Sequence, residues 1–307
     1  MTLRVVFMGS PEFSVPVLLA LHENFFVAGV VTQRDKPRGR GQKVSSTPVK
    51  IAAEQFGIPV MEPESLNQDV IDAIAEWNPD VIVVAAYGKI LPSRILEMPR
   101  MGCVNLHASL LPLYRGASPI SAAILDGKSV TGVCTMLMDK GMDTGDILQC
   151  REIPITENDT TGSLHDKLLE PGAALVVDTL RLMIAGKITP TPQDHAKATY
   201  TKLLTKKDGR LDWSKDAEFL SRLVRAMSPW PGAFFTFQEE QLKLSDARHH
   251  KGKAEPGEIY DIVSDGILIG TGKDLLLMKT VQAPGRKAVR APDFARGKRL
   301  KRGDFIQ

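Results

Sequence analysis

Short apolar runs alternate with amphipathic stretches along the first half of the chain. Residues 3–8 form a β-rich apolar run that ends at Gly9, and residues 28–32, 58–61 and 80–86 read as further strands. Between them, residues 14–21, 47–56 and 67–77 carry helical spacing, with Thr47 placed to cap the second helix and Pro48 at its first position. Residues 81–85 (VIVVA) are apolar without alternation, which suits a strand buried on both faces. Strands alternating with helices predict βαβ units. The fold class is therefore α/β, a Rossmann-like mostly parallel sheet with helices on both faces. In such a sheet functional residues belong at the carboxyl ends of strands.

The pattern changes after residue 200. Residues 217–227 are amphipathic. They are followed by short strand-like runs at 234–237, 241–244, 257–262, 266–270 and 274–279, separated by glycine-rich turns. That spacing suggests a small β-barrel. Residues 187–205 contain Pro190 and Pro192 and few large apolar side chains, which reads as a linker. The expected division is 1–189, a linker at 190–204, and 205–307. A long helical pattern at 161–184 is interrupted by Pro171-Gly172, so a kink or restart is expected there.

Two polar stretches stand out against this background. In Asn105-Leu106-His107-Ala108-Ser109-Leu110-Leu111-Pro112-Leu113-Tyr114-Arg115-Gly116, a strand runs into a loop. Side chains two apart on a strand share a face, so Asn105 and His107 point the same way. The second stretch, Met138 to Asp146 (MDKGMDTGD), packs acids and glycines into a tight loop that can return a carboxylate to His107. A carboxylate beside a histidine holds one tautomer and favours the cationic ring. An amide, an imidazole and a carboxylate around one cleft suit a reaction that builds negative charge on a carbonyl oxygen. Taken alone, the same residues also suit a structural histidine and an ordinary turn.

The combination N-x-H-x-S-L-L-P-x-x-R-G with M-D-x-G-x-D-T-G-D resembles the signature of the folate-dependent formyltransferases, and the resemblance extends over nearly the whole chain. It implies that Asn105, His107 and Asp143 are catalytic, stabilising a tetrahedral intermediate and assisting proton transfer. It implies that Ser109, Leu110, Leu111 and Pro112 bind the folate, with Tyr87 and Gly88 lining the pterin pocket. The co-substrate would be 10-formyltetrahydrofolate, with no metal, and the acceptor the amino group of initiator methionyl-tRNA. The resemblance also implies an OB-like C-terminal domain that binds tRNA. It assigns Arg40, in the loop QRDKPRGRGQK at residues 33–43, to the acceptor-stem end of the tRNA; Arg38 and Lys43 join it by proximity. The Ser228-Pro229-Trp230-Pro231-Gly232 segment matches the family, with Trp230 read as core.

Charge and cysteine usage refine this picture. Residues 1–201 carry 18 Lys/Arg against 22 Asp/Glu, and residues 202–307 carry 21 against 14, so the second half is basic by +7. A polyanionic partner fits that asymmetry, as does a solvated lysine-rich surface. The basic loop at 33–43 cannot order itself by apolar burial and is expected to be mobile when free. The three cysteines, Cys103, Cys134 and Cys150, are widely spaced without C-x-x-C, which argues against a disulfide framework and a structural zinc site and for a reducing, cytoplasmic setting. No apolar run is long enough to span a bilayer and no signal-peptide pattern is present. A monomer is expected. Gly9-Ser10-Pro11-Glu12-Phe13 lacks G-x-G-x-x-G, which sets a dinucleotide dehydrogenase aside. A formyltransferase acting on a small amine, a formyltetrahydrofolate hydrolase and a catalytically inert tRNA-binding protein remain open on sequence.

Overall fold

The computed structural model describes residues 3–38 and 43–306. In chain order the first elements are β1 (Arg4–Gly9), α1 (Val15–Asn24), β2 (Phe26–Val31), β3 (Lys36–Arg38), β4 (Lys43–Ser45), α2 (Pro48–Gln55), β5 (Val60–Met61), α3 (Gln68–Glu76), β6 (Val81–Ala85), α4 (Ser93–Leu96) and β7 (Cys103–His107). There follow β8 (Arg115–Gly116), α5 (Pro119–Leu125), β9 (Val130–Leu137), β10 (Ile147–Pro154), α6 (Thr161–Ile184) and β11 (Tyr200–Thr201). Local signals set several boundaries. The Thr47 hydroxyl accepts from Lys50 N at the start of α2, and Asn67 accepts from Val70 N at the start of α3.

The main sheet has the order β10-β9-β7-β6-β1-β2-β5. Strands β5, β2, β1, β6 and β7 are parallel, and β9 and β10 continue the sheet antiparallel. Helices cover both faces. On one, α3 and α4 pack Ile71, Ile74 and Ile95 over Val6, Met8, Ile82 and Val84. On the other, α6 lays Gly172 against Leu106 and hydrogen-bonds Thr179 to Thr135 at 2.8 Å. Helix α6 is continuous through Pro171, so of the expected kink or restart the restart does not occur. Proline leaves one carbonyl of the preceding turn without its amide donor, and packing along the helix face outweighs that loss.

The remaining elements are α7 (Ala217–Ala226), β12 (Ala233–Phe237), β13 (Glu240–His250), β14 (Ile259–Val263), β15 (Gly266–Gly270), β16 (Leu275–Gln282), β17 (Val289–Arg290) and α8 (Ala291–Lys298). The strands form an antiparallel sheet of order β12-β13-β16-β15-β14, with β17 also on β16. Its apolar face includes Phe235, Leu242, Leu244, Ile267, Ile269 and Met278, all buried. The sheet is open rather than a closed barrel among the described residues. Other segments occupy its edges. Leu211 N donates to Phe234 O beside β12, and Ile259 N donates to Asp304 O beside β14.

The chain separates into two compact units. The first comprises Met1–Gly116, Val130–Pro154 and His165–Tyr200, and the second Ala117–Ser129, Ile155–Leu164 and Thr201–Gln307. Residues 190–200, read as linker, are thus part of the first unit. Thr191 bridges Ile147, and Tyr200 pairs with β8. The expected mobile loop at 33–43 has a hairpin stem, with Lys36 opposite Ser45 and Arg38 opposite Lys43. Lys50 anchors its base through Asp35 at 3.2 Å and Glu62 at 2.6 Å. Cys134 and Cys150, expected to be free, are joined by a disulfide. They face each other directly in the β9/β10 register, an adjacency their spacing along the chain does not reveal. Trp230, expected in the core, is 52% exposed. It lies between two cis-prolyl bonds, Ser228–Pro229 and Trp230–Pro231.

Candidate active site

Strand β7 alternates Cys103, Asn105 and His107 on one face with Val104 and Leu106 on the other. Cys103 sits in the core beneath α4. The next residue along that face is Asn105, and His107 follows at the carboxyl end of the strand. Antiparallel β9 sets Met136 opposite Asn105 and Cys134 opposite His107. Leu111 closes over Cys134 and Met136, with Leu110 and Ile147 packed alongside. The floor around the two polar residues is therefore apolar, and both are nearly buried, at 9% and 6% exposure.

The loop after β7 is held by its own backbone. The Ser109 hydroxyl, fully buried, donates to Leu113 O at 2.6 Å, and the Leu111–Pro112 peptide is cis. Tyr114 adopts a left-handed backbone (φ 59°), and its carbonyl lies 3.0 Å from His107 Nε2. A carbonyl oxygen can only accept, so Nε2 carries a proton and donates it. Nδ1 is the ring nitrogen left facing the cleft. There it meets Asp143 Oδ2 at 3.7 Å, longer than a hydrogen bond. That same oxygen accepts from Gly116 N at 2.8 Å. The tautomer has a chemical consequence. A neutral ring with its proton on Nε2 has nothing to donate from Nδ1, so only the imidazolium can offer Nδ1–H to a developing anion.

The acidic loop is tightly built. Asp139 Oδ1 accepts from Gly141 N at 2.9 Å and from the Thr144 hydroxyl at 2.6 Å. A Cβ on Gly145 would stand 1.7 Å from Leu137 O, so only glycine fits. Asp143 itself is left-handed (φ 53°). Its side chain is turned inward at 17% exposure, whereas Met142 is 60% exposed. The Asn105 carboxamide has no hydrogen-bond partner among the described residues, and in that state it can receive a ligand oxygen. Strand β7 thus sets Asn105 and His107 on one face, and the acidic loop brings the Asp143 carboxylate to His107.

The other expected site residues divide. Leu110 and Leu111 form the apolar wall, and Ser109 is spent on its own loop. Tyr87 is 1% exposed, its ring in the core and its hydroxyl without a hydrogen-bond partner among the described residues. Burial pushes that phenol up to about 12. Its backbone, with Gly88 at φ 77°, forms the turn after β6, fastened by Gln33 Nε2 donating to Tyr87 O at 2.7 Å. Arg40 lies outside the described residues, and only the backbone of Arg38 and Lys43 is described. Lys251, Lys253, Arg286, Lys287, Lys301 and Arg302 of the second unit are exposed. No group of His, Cys, Asp and Glu among the described residues could hold a metal ion, and no described helix is long and apolar enough to cross a membrane. A concavity of about 630 Å³ lined in part by Leu3, Arg4, Asp80 and Arg100 sits at the opposite, amino-terminal end of the strands.

Arg115, a fixed position of the first motif to which the sequence assigns no role of its own, and Gln193, which the sequence does not single out, also belong to this region. Arg115 is fully buried, and its Nε and Nη2 donate to Gln193 Oε1 at 3.1 and 2.7 Å. Gln193 Nε2 in turn donates to Asp143 O at 2.9 Å and Gly145 O at 2.6 Å. Nothing in the composition around residue 193 marks it.

The Formyl transferase family model matches residues 3–180, and the model of the Formyl transferase C-terminal domain matches residues 203–299. The chain belongs to the formyl transferase family. Among curated formyl transferases, methionyl-tRNA formyltransferase of Sulfurihydrogenibium sp. (strain YO3AOP1) is 46% identical over 99% of this chain and 100% of its own length. The same-named protein of Bacillus licheniformis is 46% identical over 98% and 96%. Solved structures share the fold at lower identity. An N-formyltransferase from Helicobacter canadensis, in complex with folinic acid and dTDP-3-aminofucose, superposes with TM-score 0.69 at 17% identity over 92% of this chain and 99% of its own. Methionyl-tRNA formyltransferase from Clostridium thermocellum does so with TM-score 0.56 at 18% identity over 82% and 95%.

Proposed function

We propose that this formyl transferase moves the formyl group of 10-formyltetrahydrofolate to the free amino group of methionyl-tRNA, the initiator species, for translation initiation. The observation that carries the reading is the meeting of Asn105, His107 and Asp143 at the carboxyl end of β7. The full-length identity to methionyl-tRNA formyltransferases agrees with it. The acceptor nitrogen adds to the formyl carbon, and the carbonyl π pair moves onto oxygen. Asn105 Nδ2 and the Nδ1–H of a protonated His107 donate to that oxygen as its charge grows. Asp143 faces the same Nδ1 and stabilises the cation. Collapse breaks the bond to folate N10, which gains a proton as the amine loses one. Asp143 is placed to relay that proton through water.

The apolar wall of Leu110 and Leu111, with the Pro112 turn, would hold the folate ring system, and the backbone of Tyr87 and Gly88 would border it. Arg40, with Arg38 and Lys43, would meet the tRNA acceptor end, and exposed lysines and arginines of the second unit would meet phosphates. The setting is cytoplasmic and the working form a monomer. The test is incubation of purified protein with 10-formyltetrahydrofolate and methionyl-tRNA, with uncharged tRNA as control. Formyl-methionyl-tRNA should form only with the charged species, and His107→Ala should abolish it while folate binding persists. Near-normal turnover by His107→Ala would overturn the assignment, and folate consumption without acceptor would mark a hydrolase.

A further inference from the structure

The geometry points to Arg115 and Gln193 as a positioning pair that fixes Asp143 at the reacting centre, an inference that rests on the catalytic reading of Asp143. Both side chains lie within the first unit, and both are buried, Arg115 at 0% and Gln193 at 6% exposure. The acidic loop is otherwise exposed around Lys140 to Met142. Besides its internal bonds and Met138 N on Cys103 O, two attachments among the described residues hold its tip near His107. One is the carboxylate itself, on Gly116 N. The other is Gln193 Nε2, which bonds the carbonyls of Asp143 and Gly145 on either side of Thr144.

Gln193 can do this in only one orientation. Flipping its amide would set oxygen against two carbonyl oxygens and NH2 against a guanidinium. Arg115 selects the productive orientation by placing two N–H donors on Oε1. The guanidinium is itself held on its far edge by the Tyr200 hydroxyl at 3.1 Å and His195 Nδ1 at 3.3 Å. Its backbone N–H donates to Thr199 O at 2.9 Å. A chain of directional bonds therefore runs from residues 199–200 through Arg115 and Gln193 to the backbone of the residue whose carboxylate faces His107. Asp143 holds a left-handed φ of 53°, a conformation that aspartate tolerates, at the first of the two tethered carbonyls.

Gln193→Glu isolates the effect. The carboxylate keeps an acceptor on Arg115, so the buried charge stays partnered, but it presents oxygen instead of N–H to the two loop carbonyls. The expected result is a kcat about 10²-fold lower, as for a small misplacement of a reacting group. KM for 10-formyltetrahydrofolate should be little changed, and the melting temperature should fall because the two loop carbonyls lose their donor. The decisive arm is the double variant in single-turnover formylation of methionyl-tRNA. In an Asp143→Ala background, Gln193→Glu should cost nothing further, because its effect acts through Asp143. Parental kcat in Gln193→Glu, or an undiminished loss in the Asp143→Ala background, overturns the inference. If Gln193→Glu does not fold, Gln193→Met, which also leaves the loop carbonyls without a donor, goes through the same cycle. Wild-type turnover by Asp143→Ala alone would instead sink the reading of the site. A slow Asp143→Ala beside a normal Gln193→Glu sinks only the positioning role.

Discussion

Asn105→Ala separates function from stability in a way the structure makes quantitative. The Asn105 carboxamide is 9% exposed and finds no partner among the described residues. Its amide atoms are not among the fully buried polar atoms left without a partner, so the group keeps access to solvent. Truncation to alanine removes no hydrogen bond to the described residues, so the net change in stability should be small. On the proposed mechanism the same amide donates to the formyl oxygen in the transition state, and losing one such donor costs about 2.7–4 kcal/mol. That converts to a fall in kcat of about 10²–10³-fold. The assay is steady-state formylation of methionyl-tRNA with both substrates varied, alongside thermal denaturation. The expected outcome is a depressed kcat, a nearly constant KM for 10-formyltetrahydrofolate and a nearly unchanged melting temperature. A kcat within about tenfold of the parent refutes the donor role. A large drop in melting temperature refutes the claim that the amide makes no hydrogen bond within the fold.

Other outcomes follow from the same structure. Arg40→Ala should raise KM for methionyl-tRNA and flatten its salt dependence by about one phosphate contact, with KM for the folate unchanged; equal kinetics with both substrates would remove the loop from tRNA binding. Gly145→Ala should lower stability by about 2–4 kcal/mol and impair turnover, since its Cβ would lie 1.7 Å from Leu137 O; a melting curve like the parent's would contradict the loop's packing. Asp80 receives Arg4 N at 2.9 Å and Arg100 Nε at 2.7 Å, and the Arg4 backbone bond first, then Arg100, hold its carboxyl below the usual range. A depressed carboxylate stabilises the fold above its unfolded pKa and stops doing so as pH falls through the folded one. Asp80→Asn should therefore melt lower at pH 7, by about 1 kcal/mol. The gap should narrow below about pH 4 and close under stronger acid; a gap constant with pH would exclude an electrostatic origin.

Much of the first unit is legible in the sequence because its signals are local. Buried parallel strands read as unbroken apolar runs, and Thr47 and Asn67 announce their helices through hydrogen bonds three residues away. Strand periodicity alone puts Asn105 and His107 on one face, at the strand end where α/β sheets bind ligands. The two motifs carry the family resemblance, which the family models bear out.

What the sequence could not determine depends on register, or on partners distant along the chain. Cys134 and Cys150 meet because β9 and β10 align them, which only strand pairing decides. The second sheet stays open because chain segments at 210–211 and 304–306 occupy its edges, and strand patterns do not encode edge partners. Residues 190–200 looked like linker because they lack large apolar side chains. They dock instead through polar bonds, with Gln193 buried against Arg115, 78 positions away. Hydrogen bonds leave no periodic trace, unlike apolar burial. So local pattern determined that an amide and an imidazole share a strand end. Tertiary structure decided which imidazole nitrogen faces the carboxylate, and what holds that carboxylate there.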